Sequence, residues 1–432
     1  MNFNFSLILK NYELKKKIFV TFFLIFIYRL GIFISIPGVN LDYFKNAIFN
    51  PKSNNVINLF NLFSGGALEN FSIFALGIMP YITSSIIISL LVNLVPYFEE
   101  IYRDGINGIK KINFYIKILS FFVSIFQSLV MIKFLFSKHA TDSFLSNHFW
   151  INSYNGWLFF FISILSFVTG SMFVIWLSDC ISLYGVGSGV SLIIFSGIVS
   201  KIPFFFYKFF FLSFNYYSFF LFFICFLLFF LFVFFIIFIE KSYIEISLIY
   251  CKSNVIEEGY NSDLTFKLNS FGIMPVIFSS TLIIIINFLF NFLGFDYFFI
   301  NYFFSQTSIL YNYLFFVLIF FFTYFYSNIH FNIREISENI TKSGFYLFSI
   351  KSGHSSINFI KFSLYRINFF CSFYLFFICL LPVILSSLVK DNSYLNFLNG
   401  ASILILISVC LEIIKNVENF FFIKNYNIFD KK

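Results

Sequence analysis

Residues 60–91 read FNLFSGGALENFSIFALGIMPYITSSIIISLL, and the tetrapeptide inside that stretch, Gly77–Pro80 (GIMP), recurs at Gly272–Pro275. Each copy opens a long apolar run, Tyr81 to Val95 after the first and Val276 to Phe292 after the second. A Gly/Pro interruption leaves backbone N–H and C=O groups unpaired. Hydrocarbon cannot pair them, so such breaks are tolerated where they face protein or a water-filled cavity. Interrupted segments at matching places in two halves of a membrane protein point to a central pathway. The stretch therefore predicts a conduit built from two related halves.

Composition agrees. The chain has 432 residues, of which 59% are hydrophobic and 11% charged, more apolar surface than a soluble domain can hide but ordinary for a polytopic membrane protein. Its 78 phenylalanines, with abundant Ile, Asn and Lys, are what AT-rich coding produces, as in an endosymbiont or an organelle, and require no functional role. Six cysteines show no CxxC spacing and four histidines are scattered, so neither a disulfide framework nor a zinc site is predicted. No cofactor is expected. The first apolar run lacks a small-residue cleavage site and reads as a retained helix rather than a signal peptide.

Runs able to cross a bilayer of about 30 Å fall near 19–36, 73–95, 114–136, 157–178, 186–202, 217–239, 271–292, 308–328, 365–388 and 398–414. With both termini cytosolic, one side collects four basic residues in the N-terminal tail, four over 103–117, three over 241–267, five over 334–366 and four over 415–432. Those twenty face seven on the other side, with Arg29 inside the first span completing the 28, and the positive-inside rule fixes the orientation. Five spans per half is an odd number, so a repeated half must insert upside down. The GIMP motifs, 195 residues apart, sit at the second span of each half, as inverted-topology repeats require. The halves are residues 1–202, including a segment at about 57–72, and 203–432, with polar loops at about 240–270 and 329–364.

That segment, Ile57 to Ser72 (INLFNLFSGGALENFS), is amphipathic and too short to span. It reads either as an interfacial re-entrant helix or as a half-helix folded back into the cavity, whose small residues Ser64, Gly65, Gly66 and Ala67 let it pack closely and leave easily. Ile78 and Ile82 share a helix face, as do Val190 and Ile194. A ring of such side chains would make a dry constriction, and ordinary helix packing would use the same spacing.

Four blocks, Arg29–Val39 (RLGIFISIPGV), Phe60–Leu91, Val168–Ile202 (VTGSMFVIWLSDCISLYGVGSGVSLIIFSGIVSKI) and Asn332–Gly344 (NIREISENITKSG), resemble the SecY/Sec61-alpha family, channel subunits of the Sec protein translocase. The resemblance runs in order through nearly the whole chain. It implies an all-α membrane protein of ten transmembrane helices, two inverted five-helix halves forming a clamshell around an hourglass pore closed by a plug. Matched motif by motif, the pore ring falls on Ile78, Ile82, Val190, Ile194, Ile277 and Ile405. The plug falls on Asn61, Phe63, Ser64, Gly65, Gly66, Ala67 and Leu68. Thr83, Ser84 and Gln127 become polar groups of a lateral gate facing Ser279 and Ser280, with helix–helix hydrogen bonding as their other reading. Arg334, Lys342 and Lys351 fall where the family docks the SecA ATPase or the ribosome.

Further implied partners are SecE, SecG, signal-bearing polypeptides and membrane lipid, and the implied location is a bacterial inner membrane or, alternatively, a plastid membrane. Two departures stand out. Residues 240–267 hold three basic side chains against five acidic where relatives carry several arginines, and Lys351 stands in SIKSG where the family has Arg in GIRPG, a fork-shaped donor that Lys does not replace.

The function implied is passage of unfolded secretory chains and lateral release of apolar segments, with no enzymatic chemistry. An inverted-repeat transporter of a small solute is the alternative, and it would place ionisable groups mid-membrane, where this chain shows no acidic pair. An intramembrane protease would need paired aspartates or a Ser/His set that the spans lack. Gly185, Gly187 and Gly189 lack the GK[ST] ending of a phosphate-binding loop.

Overall fold

Apolar runs separated by Gly, Pro and lysine clusters fold here into helices whose ends follow that punctuation. The computed structural model describes residues 12–37, 61, 64–138, 156–200, 202–203, 216–250, 262–292, 308–347, 353–388 and 400–429. In chain order the elements are α1 (Tyr12–Ile32), α2 (Met79–Leu94), α3 (Pro96–Arg103), α4 (Ile106–Lys138), α5 (Gly156–Tyr184), α6 (Gly189–Val199), α7 (Tyr216–Lys241), β1 (Tyr243–Tyr250), β2 (Ser262–Lys267), α8 (Met274–Phe292), α9 (Ile309–His330), α10 (Ile333–Lys342), β3 (Phe345–Leu347), α11 (His354–Leu388) and α12 (Gly400–Phe429).

Each of the ten expected spans coincides with a helix. Among the described residues five are long and apolar enough to cross a membrane by themselves, and six if the α2–α3 pair, bent by 99° at Val95, counts as one broken span. Pro96 opens α3 and removes the N–H that would have continued α2. Helix α6 is only 11 residues long, about 16 Å, well short of the bilayer core. Helices α4 and α11 begin earlier than their apolar runs, at Ile106 and His354, because their first turns carry the polar residues that a hydropathy reading excludes.

The principal difference from expectation lies before α2. The amphipathic segment and the start of the second span were expected to be helical from 57 and 73. Residues 64–78 instead form consecutive turns, and helix begins at Met79. Positive φ at Gly65, Gly66, Phe71 and Gly77 explains this, since a right-handed helix cannot pass through left-handed positions. The second GIMP motif repeats the device: Gly272 has φ +59 against +53 at Gly77, and α8 begins at Met274 as α2 begins at Met79.

Buried Ser120, Ser124 and Ser128 form a stripe along α4, each hydroxyl donating to a carbonyl three residues back on the same helix. Small side chains of this kind allow close helix approach where no hydrophobic drive separates lipid from protein, and α4 packs on both α2 and α5.

Outside the helical body, β1 pairs antiparallel with β2 (Tyr243 opposite Lys267) and with β3 (Leu248 opposite Leu347). This small sheet was not foreseen. It covers an apolar cluster of Leu248, Phe266, Leu347, Ile360, Leu364 and Ile367, joined by Ile333, Ile336 and Ile340 of α10. At its root Asn269 donates to Glu240 at 2.6 Å and accepts from the Cys371 thiol at 3.4 Å. That tie fastens the end of α7 and the approach to α8 onto α11.

The two GIMP glycines make a matched test. A Cβ on Gly77 would sit 3.4 Å from the Ser64 backbone, whereas one on Gly272 meets nothing within 4 Å. Gly272→Ala should lower the thermal unfolding point by the left-handed penalty alone, about 1–2 kcal/mol. Gly77→Ala should cost at least as much and also make residues 64–71 more accessible to limited proteolysis, an effect that Gly272→Ala should not share.

Candidate functional site

The six aliphatic residues come from four separate elements. Ile78 precedes α2 and Ile82 lies one turn into it, Val190 and Ile194 are on α6, Ile277 is on α8 and Ile405 on α12. Ile78, Ile82, Ile194, Ile277 and Ile405 belong to one buried apolar cluster, and the half-buried Val190 packs against it. Ala67 and Leu68 of the turn segment are buried in the same cluster. The cluster thus draws branched side chains from both sequence halves.

The turn segment is closed on itself and fastened to its surroundings. Gly66 N–H donates to Asn61 O at 2.9 Å, and the Asn61 side chain bonds Glu69 twice, its amide to the carboxylate and its carbonyl oxygen to the Glu69 N–H. Ser72 pairs with Ser35 in an isolated bridge, with Ile36 N–H donating to Phe71 O and Ile73 N–H to Ile34 O, both at 3.1 Å. Tyr28 donates its hydroxyl to Ser64 O at 3.1 Å, and Arg29 donates to Gly65 O at 3.2 Å and to Ser196 O. Ser64, Gly65, Ala67 and Leu68 are buried and Gly66 partly so, while Phe63 lies outside the described residues. Sequence reading passed over Tyr28 and Arg29. The available signal was an arginine inside an apolar run, an expensive placement that by default marks function.

The start of α6 is held from the other half of the chain. Glu412 on α12 accepts from the Ser188 N–H at 3.3 Å and from its hydroxyl at 3.2 Å, satisfying an otherwise free helix-end donor.

Helices α2 and α4 both touch α8, and at this seam lies a cavity of about 170 Å³ lined by Leu76, Met79, Thr83, Val123, Gln127 and Ile284 among others. The Gln127 side-chain oxygen is buried there and, among the described residues, has no hydrogen-bond partner. Thr83 and Ser84 are buried and donate to the Pro80 carbonyl, at 3.0 and 2.7 Å. Ser279 and Ser280 donate to Val276 O and Ile277 O, at 2.9 and 2.8 Å. The four hydroxyls are thus satisfied by carbonyls of their own helices.

On the sheet side, Arg334 and Lys342 are exposed on α10, Lys342 within 3.4 Å of Glu338. The buried Ser337 and Ser356 hydroxyls, 2.9 Å apart, hold α10 against α11. Lys351 lies outside the described residues. Among the described residues no group of three or more His, Cys, Asp or Glu side chains could hold a metal ion.

Comparison with known proteins decides what this arrangement belongs to. The SecY family model matches residues 72–414. The chain belongs to the SecY family. It is 34% identical over 429 residues to the protein translocase subunit SecY of Buchnera aphidicola subsp. Schizaphis graminum (strain Sg), covering 97% of this chain and 95% of that one. Among solved structures it superposes on one described as a protein-conducting channel (TM-score 0.66, 16% identity, covering 93% of this chain and 92% of that one). It also superposes on Sec61 in the canine ribosome–channel complex from the endoplasmic reticulum (TM-score 0.63, 15% identity, 93% and 92%). At those identities the fold is what is shared, and it is the ten-helix channel architecture. The chain is accordingly a multi-pass membrane channel subunit of a Sec protein translocase. The small-solute transporter is not favoured.

The unpaired Gln127 oxygen gives this SecY chain a measurable soft point. Leaving a buried acceptor unmade costs about 1–3 kcal/mol, so Gln127→Leu should raise the thermal unfolding point by about 1 kcal/mol of stability. Gln127→Glu should lower it in the same detergent. Shifts of the same sign for both would contradict the assignment.

Proposed function

We propose that the six aliphatic residues Ile78, Ile82, Val190, Ile194, Ile277 and Ile405 are the pore ring, and that the segment at about 61–70 is the plug that closes it. The observation that carries this is their convergence, from both sequence halves, into one cluster that also buries Ala67 and Leu68. A hydrophobic signal segment enters the seam between α2, α4 and α8, where burial of apolar surface yields about 25 cal/mol per Å². Its better fit to the parted seam shifts the population toward the open state. Hydrophilic chain then threads the ring, and apolar spans leave sideways into lipid.

The halves 1–202 and 203–432 act as the two shells, and the loops at about 240–270 and 329–364 form the docking face. Arg334, Lys342 and Lys351 supply its basic contacts. Energy comes from outside, from SecA or a ribosome, with SecE and SecG as the small subunits. The membrane is a bacterial inner membrane, with a plastid membrane as the other reading, and both termini are cytosolic, as the distribution of basic residues supports.

The test is disulfide trapping in reconstituted vesicles with SecE and the motor supplied. Native cysteines are replaced, Ile194→Cys is introduced, and a secretory chain with a single cysteine is stalled midway. A crosslink that requires an intact signal segment is expected. An active, intact preparation that never crosslinks would remove the pore-ring assignment.

A further inference from the structure

Arg29 stands in the last turn of α1, and its guanidinium divides itself between two elements. One nitrogen donates to the carbonyl of Gly65 in the turn segment and the other to the carbonyl of Ser196 near the end of α6. Those two elements touch at this point. A Cβ on Gly65 would come within 2.8 Å of the Gly197 backbone and 3.6 Å of both guanidinium nitrogens. Among the described residues Arg29 forms no ion pair with a carboxylate, so neutral carbonyl oxygens carry its charge.

Resting on the channel reading above, we infer that Arg29 is a positioning residue for the plug, a two-pronged latch that fixes plug and α6 to α1 in the closed state. Two features make the contact suited to release. Its acceptors are backbone carbonyls, which bind a guanidinium more loosely than a buried carboxylate would. When α6 shifts and the plug leaves, water entering the pore replaces both bonds, so the charge is never stranded in a dry site. Arginine is required because only a planar fork addresses two divergent acceptors together, whereas a lysine ammonium on its flexible stem behaves as a single point charge. The hydroxyl of the neighbouring Tyr28 donates to the Ser64 carbonyl and, among the described residues, makes no hydrogen bond to α6.

The experiment uses the full chain with SecE in proteoliposomes. It compares wild type, Arg29→Lys, Arg29→Met and Tyr28→Phe by three readouts: ion leak of the idle channel, translocation of a precursor with an intact signal, and translocation of the same precursor with a charged residue in its signal. Loss of one charge-assisted hydrogen bond should raise the idle open fraction about tenfold or more. We expect Arg29→Lys to leak at that level and to pass the defective precursor, while the intact precursor stays within about twofold of wild type. Tyr28→Phe, losing a neutral bond and no tie to α6, should leak less than either Arg29 variant.

If Arg29→Met fails to fold, Arg29→Lys, which keeps the charge, decides the matter. Variants as tight and as signal-dependent as a working wild type would overturn the latch alone, as would a lower yield of folded protein with unchanged signal dependence. A folded wild type that passes no precursor would overturn the channel reading and the latch with it.

Discussion

Backbone polar groups in a dry interior must find partners inside the protein, and the rest of this structure is arranged around that constraint. A continuous helix meets it automatically, but residues 64–78 are turns placed among apolar helices. The donors are met locally: Gly66 by Asn61, Phe71 by Leu68, Ser72 by Ala67, Ala75 by Ser72, Gly77 by Phe74 and Met79 by Leu76, with Ile73 bonded across to Ile34. The carbonyls of Ser64 and Gly65 are met by Tyr28 and Arg29. Irregular backbone is tolerated at such a place where protein groups supply its partners, as Asn61, Ile34, Tyr28 and Arg29 do here. Any displacement of the segment would have to replace these partners, by water or by other protein groups.

The sequence made the skeleton legible where physics acts locally. Apolar length located a helix at each expected span. The doubled GIMP motif located both broken ones, because glycine before proline writes a left-handed turn and a helix start into four residues. The i,i+4 pairs Ile78/Ile82 and Val190/Ile194 needed the family resemblance before they could be placed opposite Ile277 and Ile405. In an isoleucine-rich chain, spacing alone is equally good for packing. The helical reading failed over 64–72, where amphipathic periodicity competed with backbone chirality and the left-handed Gly65, Gly66 and Phe71 prevailed.

What the sequence withheld depends on contacts between distant segments. Arg29 and Ser196 are separated by 167 residues and Ser188 and Glu412 by 224. The partner atoms at Ser196, and at Gly65 beside it, are backbone carbonyls, which leave no trace in side-chain identity. The sheet was hidden for a related reason. Its third strand is three residues long and comes from a segment about eighty residues beyond the second, so no local alternation announces it.

The sheet has a mechanical meaning. Strands β1 and β2 belong to one loop and β3 to another, yet they share hydrogen bonds and a common apolar underside with the first turns of α11. Helix α11 is 35 residues long in all, about 50 Å, and carries this contact inward. At Cys371 that helix is tied to Asn269, just ahead of α8. A force applied to either loop is therefore delivered to both, and travels as a single lever stroke to the root of the helix that borders the seam. Because the two loops share one sheet, a change that loosens the pairing in either one also loosens the seat of α11 in the other.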